Sequence, residues 1–321
     1  MITTLGETGL TVTRIGLGLA ALGRPAYINL GHADDLAGHT DVASMEQGAH
    51  AVLDAAYAGG IRYFDAARSY GKAEAFLAGW LERRGLGPDD VTVGSKWGYT
   101  YTANWRTDVD VHEVKDLGAE NFRRQLAETR ELLGDHLRLY QIQSATLDSG
   151  VLDKREVLDE LAALRAGGVR IGFTTSGPHQ AETIERALEV GAFDTVQSTW
   201  NLLERSAAGA LAAAHEAGLG VIVKEALANG RLTDRGDAGR LIAAARDAGA
   251  ARDAGPAPDA VALAAVLAQP WVDVVLSGAS TVWELQSNLT ALDVEVDPES
   301  FSGLAEDPET YWRKRGELPW N

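Results

Sequence analysis

Cysteine is absent from this 321-residue sequence. Its absence excludes disulfides, thiolate nucleophiles, iron–sulfur clusters and zinc–thiolate sites in one step. Positive charge is scarce: 29 Lys and Arg stand against 46 Asp and Glu, a formal net charge of −17. Phosphate backbones need a basic surface, which argues against nucleic acid as the main partner. The acid excess favours solubility and does not choose a fold. Long apolar runs are missing too, since none reaches the roughly 18 residues of a membrane span. The opening MITTLGETGL lacks the charged-then-apolar layout of a signal peptide. A soluble cytoplasmic protein with no membrane partner is the expectation.

What the sequence does contain is an alternation. Short apolar runs fall at 11–18, 61–66, 91–96, 137–144, 169–175, 195–201, 220–225 and 272–278. Their centres are almost wholly apolar, as in YQIQ or VIVK, which suits parallel strands buried on both faces. Helically spaced apolar residues fill the gaps at 45–58, 72–84, 120–133, 155–166, 179–190, 207–217, 258–268 and 282–292. Ser44 stands as an N-cap before the first helix, and glycines stop several of the helices at 59–60, 134, 167–168 and 191. Strand–helix alternation of this kind gives either a closed (β/α)8 TIM barrel or an open doubly wound sheet.

Two features choose the barrel. Gly16, Gly18 and Gly23 do not form GxGxxG, and the first two lie inside the strand pattern instead of a strand-to-helix turn. Polar residues also recur at the C-terminal ends of separate strands, where a barrel builds its active site. The predicted architecture is one α/β domain over 1–321, with an N-terminal β-hairpin and a C-terminal tail. Long connections at 24–42 and 98–115 read as functional loops, and 234–258 as a mobile or extra-helical insert.

Chemistry concentrates in FDAARSYGKAEAFLAGWL, residues 64–81. An apolar strand ending in Asp65 leaves a carboxylate that needs a partner. The next strand ends in Lys96, and neighbouring strands lie about 4.8 Å apart, so the two can pair across the mouth. A lysine near Tyr70 would stabilise its phenolate and lower its pKa from about 10, making a usable general acid. The same three residues also read as an ordinary buried ion pair beside a tyrosine, and the spacing weighs the two readings equally.

FDAARSYGKAE followed by GSKWG resembles the aldo-keto reductase family. The resemblance continues through LGETGLTVTRIGLGLAALG, VRIGFTTSGP, FDTVQSTWNLLE, VIVKEALANGRL and VVLSGASTVWELQSNLTAL. It implies a (β/α)8 barrel that binds NADP(H) at its C-terminal mouth and transfers hydride to a carbonyl. Asp65, Tyr70 and Lys96 match three of the family's four catalytic positions. The fourth, usually histidine, is Gln143 here, in LRLYQIQSATLDSG. An amide can orient a carbonyl, but it has no titratable proton. Family members that act as potassium-channel β subunits also carry an amide there.

The resemblance also assigns cofactor residues. Gln197 corresponds to the amide that recognises the nicotinamide carboxamide, and Thr174 and Thr175 to the polar pair beside it. Lys224 replaces an aromatic that stacks on the ring; it could bind the pyrophosphate, pair with Glu225 or face an acidic substrate. Leu19, Ser144, Ala226, Leu227 and Gly230 fall at further cofactor-contacting positions. Gly278, Ser280 and Thr281 form a phosphate cradle at a helix start. Glu284 falls where a 2′-phosphate contact is often made, so NADP(H) rests on the resemblance and NAD(H) stays open. Asn288 matches an adenine-binding amide. Tyr27, Trp97, Tyr99, Trp105, Trp200 and Trp312 are candidates for the substrate wall.

His32 and His39, in the first long loop among Asp34, Asp35 and Asp41, could hold a cation, though the grouping reads first as a solvated polar loop; His32 could also approach the substrate. No metal pattern emerges. The expected function is reduction of an aldehyde, ketone or keto-sugar, with Tyr70 as acid. A nucleotide-binding sensor with little turnover, or a non-redox acid–base enzyme, are the alternatives.

Overall fold

The computed structural model describes residues 2–247 and 256–321. Its strands are β1 (Ile2–Thr4), β2 (Thr11–Thr13), β3 (Ile15–Gly18), β4 (Tyr63–Asp65), β5 (Thr92–Trp97), β6 (Tyr99–Tyr101), β7 (Glu113–Lys115), β8 (Leu137–Ala145), β9 (Arg170–Thr175), β10 (Thr195–Thr199), β11 (Gly220–Lys224) and β12 (Val274–Ser277). Its α-helices are α1 (His32–Leu36), α2 (Val42–Ala58), α3 (Ala73–Arg84), α4 (Ala119–Leu133), α5 (Arg155–Ala166), α6 (Gln180–Val190), α7 (Ala208–Glu216), α8 (Ala238–Asp247), α9 (Pro258–Leu267), α10 (Val282–Leu289) and α11 (Pro308–Gly316).

Strands β3, β4, β5, β8, β9, β10, β11 and β12 close into a barrel in that order, every neighbour parallel. Closure in chain order, with helices on the outside, is the (β/α)8 barrel. Parallel pairing brings all the C-terminal strand ends to one mouth, which is how Asp65, Lys96, Gln143 and Gln197 meet.

The predicted strand at 11–18 is two strands that break at Arg14. The first half, β2, pairs antiparallel with β1 outside the barrel. Leu5, Leu10 and Val12 of this hairpin pack with Tyr63, Leu139, Ile222 and Val274 and plug the end opposite the mouth. Gly6 makes the hairpin turn at φ 49°, and a Cβ there would meet the Gly220 nitrogen at 2.4 Å. Only glycine fits that approach. The main apolar core lies between the barrel wall and the helices, around Phe64, Trp80, Trp97, Phe122, Phe173 and Trp200.

The first helix begins earlier than 45, and Ser44 does not cap it. Asp41 is the N-cap: its carboxylate accepts from the Ser44 backbone N–H at 3.0 Å. The carboxylate outcompetes the hydroxyl because it sits at the one position facing the orphan amides. The 98–115 connection contains the β6–β7 hairpin, and 24–42 contains α1. Within 234–258, read as an insert, α8 is helical and residues 248–255 lie outside the described residues. No helix among the described residues is long and apolar enough to cross a membrane.

Candidate active site

Asp65 ends β4 and Lys96 lies one residue before the end of β5, and both are buried. The Lys96 ammonium donates to the Asp65 carboxylate, to the Ala66 carbonyl at 3.1 Å and to the Tyr70 hydroxyl at 3.4 Å. Asp65 is satisfied on its other oxygen by Tyr63, Gln197 and Gln141 at 3.1, 3.2 and 3.3 Å. A buried charge pair survives only when its remaining lone pairs are taken up in this way. The Arg68–Glu74 pair and the Gly71 turn then hold the short β4–α3 segment, so that Tyr70 returns to the mouth.

Lys96 was expected to lower the Tyr70 pKa, and the net direction is the reverse. Burial pushes the phenol above its ordinary value, the Asp65 charge adds to this, and Arg24 opposes it. Lys96 does not prevail because Asp65 touches it and cancels most of its field. An ammonium cannot accept a hydrogen bond, so the Tyr70 oxygen accepts from Lys96 and its own proton is free to point elsewhere.

Gln143 is buried at the end of β8, with its carbonyl accepting from the Ser69 hydroxyl at 3.1 Å. The residue lines the cavity, and its amide nitrogen has no hydrogen-bond partner among the described residues. The next residue, Ser144, is held at φ 52°; its N–H donates to Thr174 at 2.7 Å and its carbonyl accepts from Lys115 at 2.7 Å. A left-handed serine is a cost concentrated at the mouth.

A cavity of about 510 Å³ runs from Tyr70, Lys96 and Gln143 past Gln197 and Lys224 to Glu284 and Asn288. Lys224 ends β11 and donates to Thr199 Oγ1 at 2.8 Å. Burial pulls its pKa down to about 8 despite the pull of Glu225, 3.7 Å away. Burial alone would raise Glu225, but the Arg315 guanidinium and Lys224 outweigh it and hold the carboxyl at about 2. Arg315, from α11, grips Glu225 through Nε at 2.9 and 3.1 Å, tying the C-terminal helix to the mouth. Beyond Glu225 the backbone N–H groups of Ala226 and Leu227 make no hydrogen bond among the described residues, and the buried Asn229 Oδ1 has no partner. Free backbone N–H groups suit the phosphates of an extended polar ligand, and the orphan amide oxygen suits one of its hydroxyl donors.

The tail closes the near end. Trp320 stacks on His112 at 4.3 Å, and the Arg24 guanidinium lies 4.7 Å from its ring. Arg24 also lies 5.3 Å over the Tyr70 ring and pairs with Glu113 at 2.9 Å. At the far end Glu284 caps its own helix, and Arg235 joins Glu284 and Asp35.

Among the residues singled out from sequence, Asp65, Tyr70, Lys96, Gln143, Ser144, Thr174, Gln197, Lys224, Ala226, Leu227, Gly230, Gly278, Glu284, Asn288, Tyr27 and Tyr99 line the cavity. Leu19, Thr175, Ser280, Thr281, Trp97, Trp105 and Trp200 are outside its lining. Thr175 bonds Ser198 at 2.8 Å behind the wall. Trp97 packs on Phe122, Trp200 on Trp271, and Trp105 donates to Thr40 at 2.6 Å. Trp312 packs on Tyr311, also outside the lining. His32 is buried outside the lining with both ring nitrogens unpartnered, and burial lowers it to about 4. Asp35 is engaged by Arg235, and no metal-binding cluster occurs among the described residues.

Sequence reasoning missed Arg24, Glu113, Arg315 and Trp320. The available signal was the acid excess itself: in such a chain a buried arginine has carboxylates waiting for it.

The sequence matches the aldo/keto reductase family over residues 14–306. It is 28% identical over 351 residues to the uncharacterised oxidoreductase YrpG of Bacillus subtilis (strain 168), covering 96% of this chain and 98% of that one. It is 28% identical over 220 residues to a pyridoxal 4-dehydrogenase of Microbacterium luteolum, covering 59% of each. The fold superposes on the holo form of an aldo-keto reductase from Bacillus halodurans with a TM-score of 0.72 at 20% identity, over 95% of this chain and 96% of that one.

Proposed function

The chain belongs to the aldo/keto reductase family and is an oxidoreductase, and from that premise we propose that it is a cytoplasmic carbonyl reductase with Tyr70 as its proton donor. The observation that carries this reading is the Lys96–Tyr70 contact at 3.4 Å within the cavity. The free amides of Ala226 and Leu227 and the orphan Asn229 oxygen fit a nicotinamide dinucleotide, which supplies hydride when bound. Gln197, Thr174 and Ser144 would hold its nicotinamide end, and Gly278, Glu284 and Asn288 its adenosine end.

The protein's own part is proton delivery and electrostatics. Tyr70 stays protonated through the physiological range and donates to the carbonyl oxygen as negative charge grows there. Gln143 offers a second N–H to the same oxygen. Donors already aimed at developing charge are the largest expected source of rate. Asp65 holds Lys96, and Lys96 fixes which way the Tyr70 proton points. Arg24, Tyr27, Tyr99, Glu113 and Trp320 surround the near end with polar and aromatic groups, which supports a hydroxyl-bearing carbonyl compound as substrate. The pyridoxal 4-dehydrogenase relative, named for a hydroxylated aldehyde, points the same way.

The test is single-turnover mixing of dinucleotide-loaded enzyme with a panel of sugars and hydroxylated aldehydes, followed by absorbance and product analysis. Oxidation of the bound dinucleotide with alcohol formation is expected. Conversion without its oxidation would replace this reading with acid–base chemistry, and binding without conversion would replace it with nucleotide sensing.

A further inference from the structure

We infer that the adenosine end of the cavity selects NAD(H) against NADP(H), and that Glu284 is the selecting residue. The inference rests on the dinucleotide reading above and concerns what the far end of that site can accept.

The adenosine end of the cavity is bordered by the first turn of α10. Thr281 is its N-cap, accepting from the Glu284 N–H at 3.1 Å. Glu284 reaches back, and its Oε2 accepts from the Ser280 N–H at 2.9 Å, the Thr281 N–H at 3.2 Å and the Ser280 hydroxyl at 2.9 Å. This is a capping box, in which the helix supplies its own anion. The two backbone donors that a helix start would offer a phosphate are therefore occupied by a carboxylate of the same chain.

The surroundings do not restore a phosphate site. The other oxygen, Oε1, lies 3.4 Å from Arg235. Arg235 is the one cation lining this end among the described residues, and Asp35 grips it with both carboxylate oxygens. Asp35 also accepts from the Ser280 hydroxyl at 3.1 Å. Two carboxylates thus face one guanidinium, and Asp234 and Asp259 line the cavity beside them. A 2′-phosphate would have to displace Glu284 from its amides and sit beside Asp35 with no uncommitted cation. An unmodified ribose brings hydroxyl donors instead, and carboxylate oxygens accept them. Specificity here comes from rejecting the wrong partner as much as from holding the right one.

Direct binding tests this without turnover. NADH and NADPH are titrated into the full chain with quenching of tryptophan fluorescence as the readout, and 5′-AMP and 2′,5′-ADP serve as competitors. The native chain is expected to bind NADH about tenfold or more tighter than NADPH, and 5′-AMP tighter than 2′,5′-ADP. In Glu284→Gln the ratio should collapse toward unity, mainly through tighter NADPH binding. Asp35→Asn leaves the capping box intact and should shift the ratio the same way if Glu284→Gln does not fold. Equal or tighter NADPH binding by the native chain overturns the inference and leaves the dinucleotide reading standing. An NADH preference untouched by both variants overturns the role of Glu284. Failure of both nucleotides to bind overturns the dinucleotide reading itself.

Discussion

Lys96 donates to the Tyr70 hydroxyl at 3.4 Å, and its remaining protons go to Asp65 and to the Ala66 carbonyl. All three donors of the ammonium are committed, so the Tyr70 oxygen is an acceptor on that side. The phenolic proton is then the free one, and it belongs to a group whose pKa burial pushes up. Tyr70 is built to keep a proton until a stronger base, a nascent alkoxide, appears beside it.

Removing that proton tests the assignment. Tyr70→Phe should lower kcat by about 10²- to 10⁴-fold, the usual share of a general acid. Dinucleotide affinity should change less than about twofold, because the ring and its place in the wall are kept. Steady-state rates with fluorescence titration check both halves. A variant that retains native kcat sinks the assignment.

The Asp65–Lys96 pair makes a prediction about stability. Lys96→Met leaves the Asp65 charge buried without its cation, which costs about 3–5 kcal/mol. Asp65→Asn combined with Lys96→Met removes both charges and should recover most of that loss. Activity should stay low in both, since neither fixes the Tyr70 proton. Urea unfolding of the single and double variants measures the coupling, and equal losses in both would show that the pair is not held by its own charges.

Gln143 stands where the resemblance expects histidine, with its carbonyl bound to Ser69 at 3.1 Å. Gln143→His should raise kcat/KM for simple aldehydes by about tenfold and add a pH limb near the histidine range. Gln143→Ala should lower it, because the N–H aimed at the carbonyl is lost. A panel of aldehydes assayed from pH 5.5 to 8.5 would decide, and a flat response to both changes removes Gln143 from the site.

The eight barrel strands were readable because parallel strands buried on both faces must be apolar throughout. The break at Arg14 was not, since β2 and β3 continue one apolar pattern while serving the plug and the barrel. The cluster of Asp65, Tyr70 and Lys96 was legible as a motif and as paired charges at adjacent strand ends. The aromatic wall was misread at Trp97 and Trp200 for a reason the sequence contains. Side chains alternate along a strand. With Lys96 facing inward, Trp97 must face the helices, and Gln197 facing inward sends Trp200 outward by the same count. The acid excess alone could not place Arg24, Arg315 and Trp320 at the mouth, because each is fixed by a partner far away in sequence: Glu113, Glu225 and His112.

Lys224 gives two pH effects of opposite sign. Burial lowers its pKa to about 8 from the unfolded value of 10.5. Below pH 8 the cavity carries its positive charge, and above it that charge is lost. Affinity for a dinucleotide, whose phosphates are anionic, should therefore fall by about three- to tenfold as pH rises from 7 to 9. Stability moves the other way. Between about pH 8 and 10.5 the unfolded chain binds more protons at this lysine than the folded one, so unfolding becomes harder as pH rises. Compared with Lys224→Met, the native chain should gain about 3 kcal/mol of unfolding free energy across that window, taken by urea titration. The variant should show a flat affinity profile from pH 7 to 9. If its profile falls as steeply as the native one, the titrating charge in the cavity is not Lys224.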